Sequence, residues 1–305
     1  MPSVERSCWV FSGPRRPIVV TGLEPLLPYL SIFLLDWPYK AASGRAPRQA
    51  DIRVQHNGGK FRILNILMNA SNRETISFED PVEATRALTI HLHSAFVSQL
   101  EQAASLHAAA VDSDAGLGLL IGKSYSGKSS LALHLAMRGQ LLFGDDRIIV
   151  SKRDESGPLV GTCLGRAPKV RLPLPTNCDP KFRHFVESHM VFLDGEHYAV
   201  LHLPPSLLAR FGAIRDVATI IAFERRDDLS TRLTPASRAS ILCDLLECAH
   251  NPQLTADRFL DMLTGWSASL PSYRLRYSNS AEAAAFLAAE LGFSSNGAVV
   301  PEGPD

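Results

Sequence analysis

Apolar positions along this chain change their spacing twice. Through the first 80 residues they come in short runs (Ile18–Thr21, Leu30–Leu35, Asp51–Val54, Lys60–Leu67, Thr75–Phe78) separated by turn-rich pieces such as AASGRAPRQ and HNGG. Runs of that length, broken at Asn57-Gly58-Gly59, predict a small β-rich N-terminal region with at least one hairpin. At Asp80 the spacing turns helical. Asp80 can cap, Pro81 suits the first helical position, and Glu83 stands where a capping box wants it. Leu88, Leu92, Phe96, Leu100 and Ala104 then recur on one face and predict a helix to about Ala104. His91 and His93 lie about 200° apart on it and cannot share a ligand, so they read as a surface and a core-edge histidine.

From Leu106 strands and helices alternate. Strands are predicted over Leu106–Val111, Leu117–Ile121, Gln140–Phe143, Arg147–Ser151, Val191–Leu193, Ala199–Leu203, Val217–Phe223 and Tyr273–Tyr277. Helices are predicted over Ser129–Arg138 (ending at Gly139), Ser237–Ala249, Thr255–Leu263 and Ala281–Leu291, the last capped by Ser280 and stopped by Gly292. The closing SSNGAVVPEGPD reads as disordered. The resulting division is a β-rich region over 1–80, an α/β catalytic domain over 81–293 and a tail over 294–305.

Composition narrows the class. Of 305 residues 46% are hydrophobic and 20% charged, the profile of a soluble globular protein. Lys plus Arg and Asp plus Glu both number 31, so no basic field points to nucleic acid. The apolar stretch Leu26–Leu35 is interrupted by Pro28 and is far too short to span a membrane. The opening MPSVERSCWVFSG lacks the apolar core and cleavage site of a signal peptide, and a cytoplasmic location is expected. Cys8, Cys163, Cys178, Cys243 and Cys248 show no CxxC spacing, which agrees with a reducing compartment.

The chemistry is concentrated between residues 105 and 150. Gly122-Lys123-Ser124-Tyr125-Ser126-Gly127-Lys128-Ser129 fits G-x-x-x-x-G-K-[ST], with an apolar strand before it and an amphipathic helix after it. Backbone N–H groups must curl around phosphates there, so glycines stand where a Cβ would obstruct the turn or the ligand. Lys128 supplies a mobile positive charge, Ser129 a hydroxyl for Mg²⁺, and the helix N-terminus a favourable dipole. Residues 122 to 130, Ser130 included, form the expected nucleotide-binding stretch; the side chains of Lys123 and Tyr125 have no assigned role. Asp145 and Asp146 follow a short strand, Asp146 only 18 residues beyond Lys128. That predicts two carboxylates on the strand next to the phosphate loop, one for Mg²⁺ and one to take a proton from an attacking hydroxyl. By residue physics alone His107 is a core histidine.

The stretch SLHAAAVDSDAGLGLLIGKSYSGKSSLALHLAMRGQLLFGDDRIIV resembles the catalytic domain of the HPr kinase/phosphorylase family: a histidine, a strand, the phosphate loop, an Arg-Gly helix end and an Asp-Asp pair, in that order. The resemblance implies a P-loop fold related to phosphoenolpyruvate carboxykinase and an ATP- and Mg²⁺-dependent serine kinase acting on a small protein. It also implies roles for Asp146 as general base, Lys128 as phosphate-stabilising cation, Ser129 as Mg²⁺ ligand (with Asp145 beside it) and His107 as part of the active site. The family's metal-binding glutamate has no counterpart in VGTCLGRAPKVRLPLPTN, and the N-terminal region is unlike the usual sensor domain. Those departures resemble divergent serine kinases, including those that modify lasso-peptide precursors, and favour kinase over phosphorylase activity. Arg171, in Arg171-Leu172-Pro173, is a candidate nucleotide or substrate contact, with a strand-flanking surface arginine as its alternative. Arg210, in Arg210-Phe211-Gly212, is carried as a further candidate contact. The expected acceptor is a serine of a peptide or small protein. A small-molecule hydroxyl and a nucleotide-gated binding module without transfer are the alternatives, and the parent family's hexamers leave a homo-oligomer open.

Overall fold

A computed structural model describes residues 7–42, 50–66, 76–154, 157–176, 178–194, 197–226 and 230–291. It is a mixed α/β structure with three sheets. The N-terminal strands β1 (Cys8–Phe11), β2 (Ile18–Thr21), β3 (Tyr39–Ala41), β4 (Ile52–Asn57), β5 (Lys60–Asn65) and β6 (Ser77–Phe78) form one sheet in the order β3-β1-β2-β4-β5-β6. Only β2 and β4 pair in parallel; β4 and β5 close a hairpin across Gly58-Gly59, with Asn57 opposite Lys60. Helix α1 (Leu27–Phe33) occupies the run expected to be a strand. Pro28 sits in its first turn, and buried Leu26, Leu30 and Phe33 fall at helical spacing, which explains the difference.

Helix α2 (Pro81–Val97) begins under an Asp80 cap that accepts from the Val82 amide. It ends at Val97, seven residues short of the expected Ala104. Ala103 and Ala104 belong instead to β7 (Ala103–Leu106), where both are fully buried opposite Ser151 and Val150. The apolar face of α2 packs onto the N-terminal sheet: Leu88, Leu92 and Phe96 share one core with Phe11, Ile18, Val20, Ile52 and Ile63. His93 lies inside that core rather than at its edge, stacked on Trp37 at 5.6 Å, and Phe211 stacks on the same indole at 4.8 Å.

The large sheet is built from β7, β8 (Ala109–Ser113), β9 (Gly116–Ile121), β10 (Leu142–Gly144), β11 (Ile148–Lys152), β12 (Leu159–Thr162), β16 (Ile214–Arg225), β17 (Arg232–Pro235), β18 (Ala249–His250) and β19 (Ser272–Tyr277). Its main path runs β10-β8-β9-β16-β12-β11-β7-β18, with β19 parallel to β16 and β17 on β19. A third, small sheet orders β13 (Lys169–Arg171), β15 (Tyr198–Leu201) and β14 (Met190–Asp194). Helices α3 (Lys128–Met137), α4 (Pro180–His189) and α7 (Ser280–Glu290) enclose one apolar core with the large sheet and the small one, through Leu131, Leu135, Phe182, Leu201, Leu275 and Leu287. Helices α5 (Arg238–Cys248) and α6 (Ala256–Ser269) enclose another with Leu119, Phe143, Ile148, Leu245 and Trp266. Alternation along β9 supplies both: Leu117, Leu119 and Ile121 join the second core and Leu120 the first.

Three local expectations are corrected. The strand expected over Leu106–Val111 is two strands, β7 and β8, that break at His107. Helix α7 is capped by Asn279, whose side chain accepts from the amides of Ala281 and Glu282, rather than by Ser280. The Asp-bearing strand β10 pairs with β8, so it is one strand removed from β9. Gly292, the tail, Leu67 and Thr75 lie outside the described residues. No helix among the described residues is long and apolar enough to cross a membrane.

Asp51 ties the N-terminal sheet together. Its buried carboxylate accepts from the Val19 amide at 2.8 Å and from both terminal nitrogens of Arg16 at 2.9 and 2.8 Å. Asp51→Ala leaves a buried amide unpaired, and urea unfolding should show a loss of about 2 kcal/mol.

Candidate active site

The strand order brings the sequence-predicted residues to one edge of the sheet. β8 runs antiparallel to both β9 and β10, so those two strands point the same way. The glycine loop leaves the carboxyl end of β9, Asp145 and Asp146 leave that of β10, and His107 precedes the amino end of β8 between them. This edge opens into a cavity of about 1400 Å³ lined by His107, Lys128, Ser129, Ser130, Asp145, Asp146, Arg166, Lys169 and Arg171, among others.

The loop is shaped by close contact. Gly127 has φ +95, and an added Cβ there would lie 2.5 Å from the Tyr277 hydroxyl. That hydroxyl donates to the Ser126 carbonyl at 2.9 Å and braces the loop from β19. Lys128 is buried and folds its ammonium back onto the carbonyls of Gly122 and Lys123, at 2.7 and 2.9 Å. Burial lowers its pKa, opposed by the charge of Asp145. A cation held only by carbonyl dipoles, beside a helix N-terminus, suits an incoming phosphate.

Ser129 donates to Asp145 Oδ1 at 2.8 Å, and the Lys169 amide donates to Asp145 Oδ2 at 3.2 Å. Burial, and then the neighbouring charge of Asp146, push the Asp145 carboxyl up to about 6. Asp146 takes a left-handed conformation, φ +67, which turns its side chain away from that of Asp145. Its Oδ2 meets Arg166 Nη1 at 2.6 Å and its Oδ1 lies 3.5 Å from His107 Nε2. Burial alone would raise its pKa, but Arg166, then His107, Lys169 and Arg147, outweigh it and hold the carboxyl well below the usual range. Burial and the charge of Lys128 lower the His107 pKa, so its imidazole is mostly neutral at neutral pH.

Arg166 was not singled out by sequence reasoning. It is buried, and its position is set by Gly165 (φ +61), whose amino acid side would otherwise clash: a Cβ there would lie 2.1 Å from the Leu35 carbonyl. The segment without an acid therefore delivers Arg166 and Lys169 to the cavity. Arg171 also reaches it, with its guanidinium 3.7 Å from the Tyr125 ring and donating to the Tyr198 hydroxyl at 2.6 Å. Lys123 stays exposed, 3.9 Å from Glu247. Arg210 is exposed and does not line the cavity, because its neighbour Phe211 is drawn onto Trp37 in the N-terminal core.

The raised Asp145 pKa has a measurable consequence. Its folded value lies above the unfolded one, so folding is favoured at low pH and loses that advantage as pH rises through about 6. Asp145→Asn should therefore have a higher thermal midpoint than the wild type at pH 7.5. Lowering the pH through 6 towards 4 should close the gap; a constant gap would rule out ionisation of Asp145 as its cause.

No protein-family model matches the chain. The HPr kinase/phosphorylase of Lactobacillus johnsonii is 35% identical over 109 residues, which is 34% of this chain and 31% of that protein. The proteins of the same name from Lacticaseibacillus casei and Geobacillus thermodenitrificans are 41% identical over 95 residues and 34% over 105, covering 28% and 32% of their lengths. The chain thus spans about a third of the curated relatives that it matches. A solved Hpr(Ser) kinase/phosphatase from Coxiella burnetii aligns with 60% of this chain and 90% of its own, at 14% identity and a TM-score of 0.28, too low to bear on the fold. Over about a third of its length, the chain is similar to HPr kinase/phosphorylases.

Proposed function

We propose that the protein is an ATP-dependent serine kinase that transfers the γ-phosphate to a hydroxyl on a peptide or small protein. The observation that carries this reading is the meeting of Lys128, Ser129, Asp145, Asp146 and His107 in one cavity at the mouth of the glycine loop. The kinship with HPr kinase/phosphorylases supports it.

The loop amides and Lys128 bind the triphosphate, the ammonium leaving the Gly122 and Lys123 carbonyls for phosphate oxygens. Ser129 and Asp145 are the residues that would hold Mg²⁺. Their 2.8 Å contact brings a hydroxyl and a carboxylate together, oxygen donors of the kind that Mg²⁺ takes. When bound, the ion neutralises charge on the β- and γ-phosphates.

Asp146 orients the acceptor hydroxyl. Its low pKa makes it a weak base, which suits a loose transition state in which the acceptor proton moves late. As the new O–P bond forms and the bond to the ADP oxygen breaks, that proton passes to the Asp146 carboxylate. Arg166 keeps the carboxylate charged and lies where negative charge accumulates. The same ion pair favours one second reading, a nucleotide-gated binding module in which Asp146 never meets an acceptor.

Single-turnover transfer from γ-labelled ATP separates the two. Lys128→Ala should slow transfer about 10²–10³-fold, and Asp146→Asn at least about a hundredfold with ATP affinity nearly unchanged. Binding of ATP without transfer in the wild type, and no effect of Asp146→Asn on any output, would favour the binding module.

A further inference from the structure

Two groups of elements build the wall of the cavity. The first is α3, α4 and α7, through residues such as Ser130, His134, Phe182 and Asn279. The second is α2 and the N-terminal sheet, through Ile63, Phe78, Ala87 and Ile90, with Ile76 just ahead of β6. On the kinase reading, a nucleotide with its phosphates in the glycine loop has Ser129 and Ser130 beside it, which belong to the first wall. Its γ-phosphate then ends among Lys128, Asp145 and Asp146. About 1400 Å³ is more than one nucleotide needs, since small-ligand pockets run from about 300 to 1,000 Å³. The second wall remains for the acceptor, and it begins at His107 and Arg166 beside Asp146.

The chemistry of that wall selects the acceptor. Ile76 and Ile90 are 58% and 45% exposed, unusual for isoleucines, and both line the cavity with the apolar Ile63 and Phe78. A small polar alcohol would leave these side chains in water. β6 ends the sheet order and pairs with β5 alone among the described strands, which offers its backbone to an extended chain. Glu83 and Arg86 supply charges of both signs on the same helix.

We infer that the N-terminal sheet and α2 form the acceptor-docking surface, and that the acceptor is an extended peptide segment with apolar side chains next to its serine. The inference rests on the kinase reading for the placement of the serine at Asp146. The docking surface itself stands on the wall.

The experiment uses the full chain with two fluorescein-labelled peptide pools, each with a central serine. One pool carries Leu, Ile, Val or Phe at the flanking positions, the other Asp or Glu. Transfer is measured with ATP, and binding by fluorescence anisotropy with a non-hydrolysable ATP analogue. The apolar pool should be used at least about tenfold more efficiently than the acidic one. Combined Ile76→Asp and Ile90→Asp should raise its KM by at least about tenfold while the KM for ATP changes less than about twofold. The unchanged ATP value shows that the variant is folded, and Ile90→Leu should behave as wild type. Wild-type turnover of peptides by the double variant would overturn the docking surface and leave the kinase reading standing. Apolar-pool binding that the double variant loses, with no transfer by the wild type, would uphold the surface and overturn the kinase reading. Neither binding nor transfer of any peptide would overturn the inference, and transfer to a small alcohol in that case would leave a kinase of another acceptor class.

Discussion

Two carboxylates on adjacent residues, one buried and one half-buried, are the constraint around which this site is arranged. Left alone they would repel, and one would take up a proton. The fold separates them by conformation and by partner. The left-handed turn at Asp146 sends the side chains to different neighbours. Asp145 receives two hydrogen bonds from neutral donors and remains easy to protonate. Asp146 receives a guanidinium and remains charged. One carboxyl thereby titrates at about 6, and the other is held as a fixed negative charge.

Much of this was legible in the sequence where the signals were local. The glycine loop, the Asp pair and His107 fall within 40 residues, and each stands at an end of a strand that alternation already marks. What could not be read depends on contacts between distant segments. Arg166 is positioned by the chain near Leu35, and Tyr277 braces a loop about 150 residues earlier. Neither relation leaves a spacing to find. Edge strands were lost for another reason: β3 and β17 are largely exposed, so they lack the apolar alternation that identifies a strand. Helix α1 failed in the opposite sense, since a short apolar run suits either element and only the burial of every third or fourth residue distinguishes them.

The missing acid becomes intelligible in the same terms. A segment that brings Arg166 and Lys169 rather than a carboxylate changes the charge count of the cavity. On the proposed kinase reading, these protein-borne positive groups supply part of the neutralisation that a further cation would otherwise give. A guanidinium carried by the chain is always charged and always present, so the partner of Asp146 is set by the fold.

The stack of His93, Trp37 and Phe211 has a consequence for how the molecule can be altered. It joins the helix α2, the loop after α1 and the segment before β16 in one aromatic pile. Shortening the chain to start at Pro81 would strip Trp37 from this pile and turn Leu88, Leu92 and Phe96 towards water. Recognition and chemistry are therefore not exchangeable parts. Swapping the N-terminal sheet would unseat α2, which carries part of the cavity wall, so a change to that wall has to be made on the sheet's surface.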